Sequence, residues 1–302
     1  MAQTPKVAVV GLGSMGLGAA LSLLRAGVEV VGCDVSLESR SRFESGGGKA
    51  VSSLAEAAHG AGAVVVMVVN AAQTEEVLFG ADGAQGVLKR DAVVISSATM
   101  SPDDARRLAG KAEQAGWHYL DAPVSGGSVK AAAGEITVMA SGSDAAFAVA
   151  RPVLDAISVT VYELGDEAGI GASYKIVNQL LAGVHIAAAC EAITFAKKLG
   201  LDLEKVYEVI TASAGNSWMF ENRVPHILEG DYRPRSAVDI FTKDLGIIAS
   251  IGHKEKFPMP VATTALQLFL ATAAAGMGRD DDASVARLIA QVTGLDLPSK
   301  NM

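Results

Sequence analysis

The chain has 302 residues, half of them apolar and 19% charged, with a net charge of −8. That length allows one large or two ordinary domains with well-buried cores, and the composition excludes a disordered chain. The acidic balance argues against a general role on nucleic acid or on an anionic membrane, although a local basic pocket stays open, and no window is read as reaching the uninterrupted apolar length of a membrane span.

From Met1 to Lys6 the chain runs straight toward a strand with no signal-peptide apolar region. Only Cys33 and Cys190 occur, far apart and without metal-like spacing. Both read as reduced core thiols, and a cytoplasmic protein is the expectation. The five histidines lack ligand spacing and no H-E-x-x-H or C-x-x-C occurs, so no metal is expected.

Strand patterns fall at 6–11, 28–34, 63–69, 92–97, 117–121, 136–140 and 158–162. Helical spacing fills most of the intervals, at 14–26, 52–61, 101–115 and 143–156. Such alternation predicts a mostly parallel, doubly wound α/β sheet, a Rossmann domain over 1–165. Between Gly169 and Leu199 a proline-free, Ala-rich stretch predicts one long interdomain helix stopped at Gly200. Further helices are expected at 202–212, 217–228, 237–252, 260–275 and 283–293, with no strand after 162, which makes 166–302 an all-helical domain. The small residues on the long helix suggest close packing and a subunit interface, hence a homodimer or homotetramer.

The most informative segment is Lys6-Val-Ala-Val-Val-Gly-Leu-Gly-Ser-Met-Gly16. In a dinucleotide-binding turn the first glycine allows a sharp bend, the second lets the backbone approach a pyrophosphate, and the third lets the helix pack on the strand. Glycine is common here, 32 residues, so the pattern needs its context: an apolar run before it and an acid, Asp34, closing the next strand. The plainer alternative is a structural strand–helix turn. A carboxylate at Asp34 would accept hydrogen bonds from ribose hydroxyls and repel an added phosphate, which favours NAD; Arg40 and Arg42 nearby keep NADP as the less favoured alternative.

Asp121-Ala-Pro-Val-Ser-Gly-Gly127 follows a strand where open α/β sheets bind ligands. Ser125, Gly126 and Gly127 could hold a small carboxylate, or form only a Gly-rich turn. Lys175 sits near the start of the long helix, with Asn178 on the same face. Desolvation disfavours a charged ammonium, which would let such a lysine act as a base on an alcohol, whereas a solvated helix lysine would do nothing. Lys243-Asp244 lies on a later helix and could equally be an ordinary surface pair, and His185 reads as a pocket or interface histidine.

Taken together, Gly11-Leu-Gly-Ser-Met-Gly16, Asp121-Ala-Pro-Val-Ser-Gly-Gly127, Gly171-Ala-Ser-Tyr-Lys-Ile-Val-Asn178 and Lys243-Asp-Leu245 resemble, in order and spacing, the β-hydroxyacid dehydrogenase family over nearly the whole chain. The resemblance implies that Lys175 is the general acid/base and that Asn178 orients it or the substrate. It implies that Ser125, Gly126 and Gly127 bind the substrate's carboxylate and hydroxyl. It implies cofactor contacts from Gly11, Leu12, Gly13, Ser14, Met15, Gly16, Asp34, Val69, Asn70, Thr99 and Lys243. At Met67-Val-Val-Asn70 this chain lacks the proline that relatives often carry before the polar residue.

Several segments are similar to a branch of the family acting on a four-carbon sugar acid. They include Val69-Asn-Ala-Ala-Gln73, Met139-Ala-Ser-Gly-Ser-Asp144, Ala214-Gly-Asn-Ser-Trp-Met-Phe-Glu-Asn-Arg223 and Ser236-Ala-Val-Asp-Ile-Phe241. This implies NAD-dependent oxidation of L-threonate at carbon 2, with Asn216, Ser217 and Asn222 as candidate readers of the extra hydroxyls and Trp218 and Phe220 as pocket walls. Another hydroxy acid of the family, such as 3-hydroxyisobutyrate or D-glycerate, and a non-catalytic dinucleotide-binding module remain alternatives.

Overall fold

The structure, a computed structural model, describes residues 5–299; the stretch 1–4, part of the segment read as lacking a signal peptide, lies outside the described residues. By internal contacts the chain divides into two compact units that meet in sequence between Ile176 and Val177.

The first unit begins with Val7–Val10 (β1), Ser14–Arg25 (α1), Val30–Cys33 (β2), Leu37–Ser45 (α2), Lys49–Val51 (β3) and Leu54–Ala58 (α3). It continues with Ala63–Val66 (β4), Ala71–Phe79 (α4), Val93–Ser96 (β5), Pro102–Gln114 (α5) and His118–Asp121 (β6). The six strands form one all-parallel sheet in the order β3-β2-β1-β4-β5-β6. Side chains alternate across it. Val7, Val9, Val65 and Ile95 join Leu17 and Leu23 of α1 in one core, while Ala8, Val10, Val64 and Val94 join Leu54, Leu78 and Leu108 in the other. Burial on both faces explains the uninterrupted apolar runs of β1, β4 and β5. The order reverses between β1 and β4, and the crevice at such a switch point, past the carboxyl ends of the strands, is where open α/β sheets bind ligands.

Beyond β6 come Val124–Ser125 (β7), Gly127–Ala133 (α6), Ile136–Ala140 (β8), Asp144–Ile157 (α7) and Ser158–Glu163 (β9). The segments 136–140 and 158–162 therefore do not extend the main sheet, as the alternating pattern suggested. They make a separate three-stranded sheet, β7-β8-β9, in which β7 and β8 are antiparallel and β8 and β9 parallel. Its inner residues Ile136, Val138 and Ala140 complete the core beneath α1.

Ile170–Lys198 (α8) starts in the first unit and continues into the second. There it is followed by Leu203–Thr211 (α9), Trp218–Glu229 (α10), Val238–Lys254 (α11), Pro260–Thr272 (α12) and Val285–Thr293 (α13). No strand occurs after Glu163 among the described residues. Stacked Phe241 and Phe269, with ring centroids 5.2 Å apart, join α11 to α12. Buried pairs from α10, Arg223 to Asp282 and His226 to Asp281, hold the turn that precedes α13.

One expectation is corrected here. Ile170–Lys198 and Pro260–Met277 are both long and apolar enough, by length and composition, to cross a membrane. Alanine-rich runs raise their hydropathy although isolated polar residues interrupt them; half of the apolar window in α8 is buried inside the protein, against 28% in the second.

Candidate active site

The glycine turn after β1 shows three distinct constraints. Gly11 has φ +88°, and a Cβ there would lie 2.5 Å from the Met67 carbonyl oxygen, so the bend admits only glycine. A Cβ on Gly16 would fall 1.8 Å from the Gly11 oxygen, so α1 seats directly on the turn. At Gly13 a Cβ would meet nothing within 4 Å, leaving open space in front of the start of α1. That start has no side-chain cap, while the N-caps Ser36, Asn70, Ser101, Ser143, Asp202 and Ser217 all accept a backbone N–H at their own helices. An uncapped helix start with clear space before it fits a pyrophosphate.

Asp34 closes β2 with its carboxylate fixed from two sides. Oδ2 accepts from Leu12 N–H at 2.7 Å and Oδ1 accepts from Ser36 N–H at 2.8 Å. Each oxygen retains a lone pair for a ribose hydroxyl. Arg40 turns its guanidinium to the carbonyls of Asp34 at 2.7 Å and Val35 at 3.0 Å, rather than standing ready for an added phosphate. These residues fit NAD.

Other candidates sit at the same carboxyl edge of the sheet. Val69 and Asn70 follow β4; Val69 N–H donates to Gln73 Oε1 at 2.9 Å, and Asn70 Oδ1 caps α4 by accepting from Gln73 N–H at 2.9 Å. Thr99 follows β5, half-buried. Ser125, Gly126 and Gly127 follow β6, and the two glycines have φ +129° and +76°. Lys175, only 7% exposed, donates from Nζ to the Val124 carbonyl at 2.8 Å, beside Ser125. Within the first unit, then, the lysine is brought to the loop with which the sequence paired it.

In the second unit Asn178 and Lys243 are joined through Gln179, to which the sequence reading gave no role, and Asp244, which it took only as the neighbour of Lys243. Asn178 Nδ2 donates to Gln179 Oε1 at 3.0 Å, and Gln179 Nε2 donates to Asp244 Oδ2 at 2.5 Å. Lys243 Nζ pairs with Asp244 Oδ1 at 2.6 Å. Asp244 is 1% exposed, so Lys243-Asp244 is not the surface pair weighed above. A carboxylate and an amide inside largely apolar helices were the available signal; their meeting across 65 residues was not visible.

Of the helical-domain candidates, Ser217 caps α10, Phe220 is buried and stacked on Tyr207, and Asn216 Nδ2 donates to Glu221 Oε1 at 2.5 Å. Asn222 Oδ1 accepts from Arg223, and Trp218 is half-exposed. His185 lines a groove of the second unit with Asn216, Ser217 and Phe220. Both cysteines are buried free thiols, and burial, the larger cause in each, pushes Cys33 up to about 11 and Cys190 higher still.

Residues 6–165 match the NAD binding domain of 6-phosphogluconate dehydrogenase, and residues 169–289 match the NAD-binding family of NADP-dependent 3-hydroxyisobutyrate dehydrogenase. An L-threonate dehydrogenase of Cupriavidus necator is 50% identical, with 97% of this chain and 98% of that protein covered. One from Haemophilus influenzae is 48% identical over 99% and 98%. The crystal structure of 3-hydroxyisobutyrate dehydrogenase from Salmonella typhimurium superposes with a TM-score of 0.90 at 49% identity, covering 94% of this chain and 99% of that one.

Proposed function

Because the chain belongs to the β-hydroxyacid dehydrogenase family, as an NAD-dependent dehydrogenase of hydroxy acids, we propose that it oxidises L-threonate at carbon 2 to 2-oxo-tetronate (2-dehydro-L-erythronate). The observation that carries the reading is Lys175, a buried amine held 2.8 Å from the Val124 carbonyl beside Ser125. The substrate assignment is supported by the relatives named for L-threonate, matched along nearly their full length.

The glycine turn and Asp34 would hold NAD, whose nicotinamide would supply the acceptor for the hydride, hydrogen with its bonding electron pair, given up by carbon 2. Lys175 Nζ takes the hydroxyl proton, and the ammonium so formed stabilises the new carbonyl oxygen. Ser125 and the amides of Gly126 and Gly127 hold the carboxylate, and Asn178 orients the alcohol or the lysine. A fixed orientation supplies a large share of the rate. Val69, Asn70, Thr99 and Lys243 complete the cofactor contacts. Residues 1–165 form the NAD-binding domain and supply all of these cofactor contacts but Lys243, and 166–302 form the domain for substrate selection and subunit association. The protein acts in the cytoplasm on a small sugar acid, as a homodimer or homotetramer, without a nucleic-acid or membrane partner. Exposed Val177, Leu181 and Phe195 on α8 support association, and sedimentation velocity giving a monomer would refute it.

The test is NADH absorbance over a panel of three- and four-carbon hydroxy acids. The highest kcat/KM is expected with L-threonate. A preference for 3-hydroxyisobutyrate would favour the second reading, to which the name of the Salmonella structure points. Tight NAD binding without turnover of any acid would leave only a binding module.

A further inference from the structure

A helix leaves its first N–H groups without partners inside the helix, and α8 meets that need in an unusual way. Its caps come from side chains far off in sequence. Asp121 Oδ2 accepts from Gly169 N–H and from Ala172 N–H, both at 2.8 Å, across 48 and 51 residues. Ser141 Oγ accepts from Gly171 N–H at 2.9 Å, across 30 residues. Asp121 and Ser141 are fully buried. They also pair through their backbones, Asp121 N–H to Ser141 O at 3.0 Å and Ser141 N–H to Asp121 O at 2.8 Å, where β6 of the main sheet meets the end of β8. A Cβ on Gly171 would lie 2.4 Å from the Met139 oxygen, so the helix start is pressed onto these strand ends.

The consequence is a closed ring of contacts. Asp121 holds Ala172; three residues on, about one helical turn, Lys175 donates to Val124; Val124 follows Asp121 by three residues and precedes Ser125. The helix and the loop that meet at the lysine are thus tied together at one carboxylate. We propose that Asp121 and Ser141 are positioning residues for Lys175, fixing its amine against the 125–127 loop without touching substrate or cofactor. The inference rests on the reading of Lys175 as the general base. An asparagine could accept the same amides without placing a charge in the interior. Burial pushes the Asp121 carboxyl up to about 6, and its two amide bonds pull it back only in part, so the carboxylate is held at a cost.

The experiment compares Asp121→Ala, Asp121→Asn and Ser141→Ala with the natural protein, reading kcat and KM, the NAD dissociation constant, and labelling of Lys175 by an amine-reactive ester through mass spectrometry. Asp121→Ala should lower kcat at least about 30-fold, leave NAD affinity within about twofold, and label at Lys175 at least about tenfold faster. Asp121→Asn, which keeps an acceptor, should recover kcat to within about threefold and protect the amine again. Wild-type kcat in a folded Asp121→Ala, an Asp121→Asn as slow as the alanine variant, or NAD affinity falling in step with kcat would each overturn the proposal. Should Asp121→Ala not fold, Ser141→Ala takes its place, with a three- to tenfold loss of kcat and faster labelling expected, on the order of one lost hydrogen bond; no change in either would overturn it. Labelling needs no turnover, so a natural protein inactive on every hydroxy acid would strike the functional reading alone.

Discussion

The starts of α1 and α8 are opposite solutions to one problem. Both helices begin at the carboxyl edge of the strands, and both must satisfy free N–H groups there. At α1 the N-cap is Gly13, no side chain fills the space before it, and the neighbouring carboxylate, Asp34, is anchored sideways to Leu12 and Ser36. At α8 the same kind of groups are closed off by Asp121 and Ser141 from within the protein. The difference separates room for an anion from an anchor: the open helix start has space for a phosphate, and the filled one is tied to the strand ends by the protein's own side chains.

The largest effect expected from breaking this contrast is structural and lies behind the open start. Gly16→Val should lose about 3 kcal/mol or more of stability, because its Cβ would overlap the Gly11 carbonyl, which is backbone and has nowhere to go. Thermal unfolding close to that of the natural protein would contradict the packing described.

At the filled start the expected effect is a pH slope. The Asp121 pKa is raised from 3.8 to about 6 by burial, so the folded state binds the proton more tightly than the unfolded chain does. Stability from this group is therefore greatest below about pH 4 and falls as pH rises toward 6, by up to about 3 kcal/mol. Asp121→Asn should flatten that slope in denaturant titrations across the window, and an unchanged slope would show that another group titrates.

Gly13→Val should do the reverse of Gly16→Val. Its Cβ would meet nothing within 4 Å, so the unfolding midpoint should move little, while NAD binding by calorimetry should weaken about 100-fold, or about 2.7 kcal/mol. Undiminished NAD affinity would remove the pyrophosphate from this turn. The smallest effect is at Asp34→Ser, where the ratio of kcat/KM for NAD over NADP should fall about tenfold, about 1.4 kcal/mol, as the repelling charge is lost. A ratio that does not move would mean that Asp34 serves only Leu12 and Ser36.

Much of this was legible in the residues, for reasons that can be named. β1, β4 and β5 are buried on both faces and so appear as unbroken apolar runs. The glycine spacing of 11, 13 and 16 encodes three separate steric facts. Short or thinly buried elements were not legible: α2 buries only Phe43, and β3 is an edge of three residues. α4 and α6 went unread as well, being short and partly hidden in loop-like composition. The second sheet was misassigned because β8 and β9 have strand character, and pattern alone does not say which sheet a strand joins. The least legible features were long-range polar contacts. Asp121 was visible as the first letter of a motif whose glycines drew the interpretation, while its carboxylate works on amides about 50 residues away. Gln179 and Asp244 meet in the same manner.

Lys175→Ala offers the most direct test of the account. Steady-state oxidation of the preferred hydroxy acid, followed as NADH with NAD affinity measured in parallel, should show kcat reduced about 1000-fold or more and an NAD dissociation constant within about twofold of the natural protein. Turnover that survives the loss of this amine would contradict it.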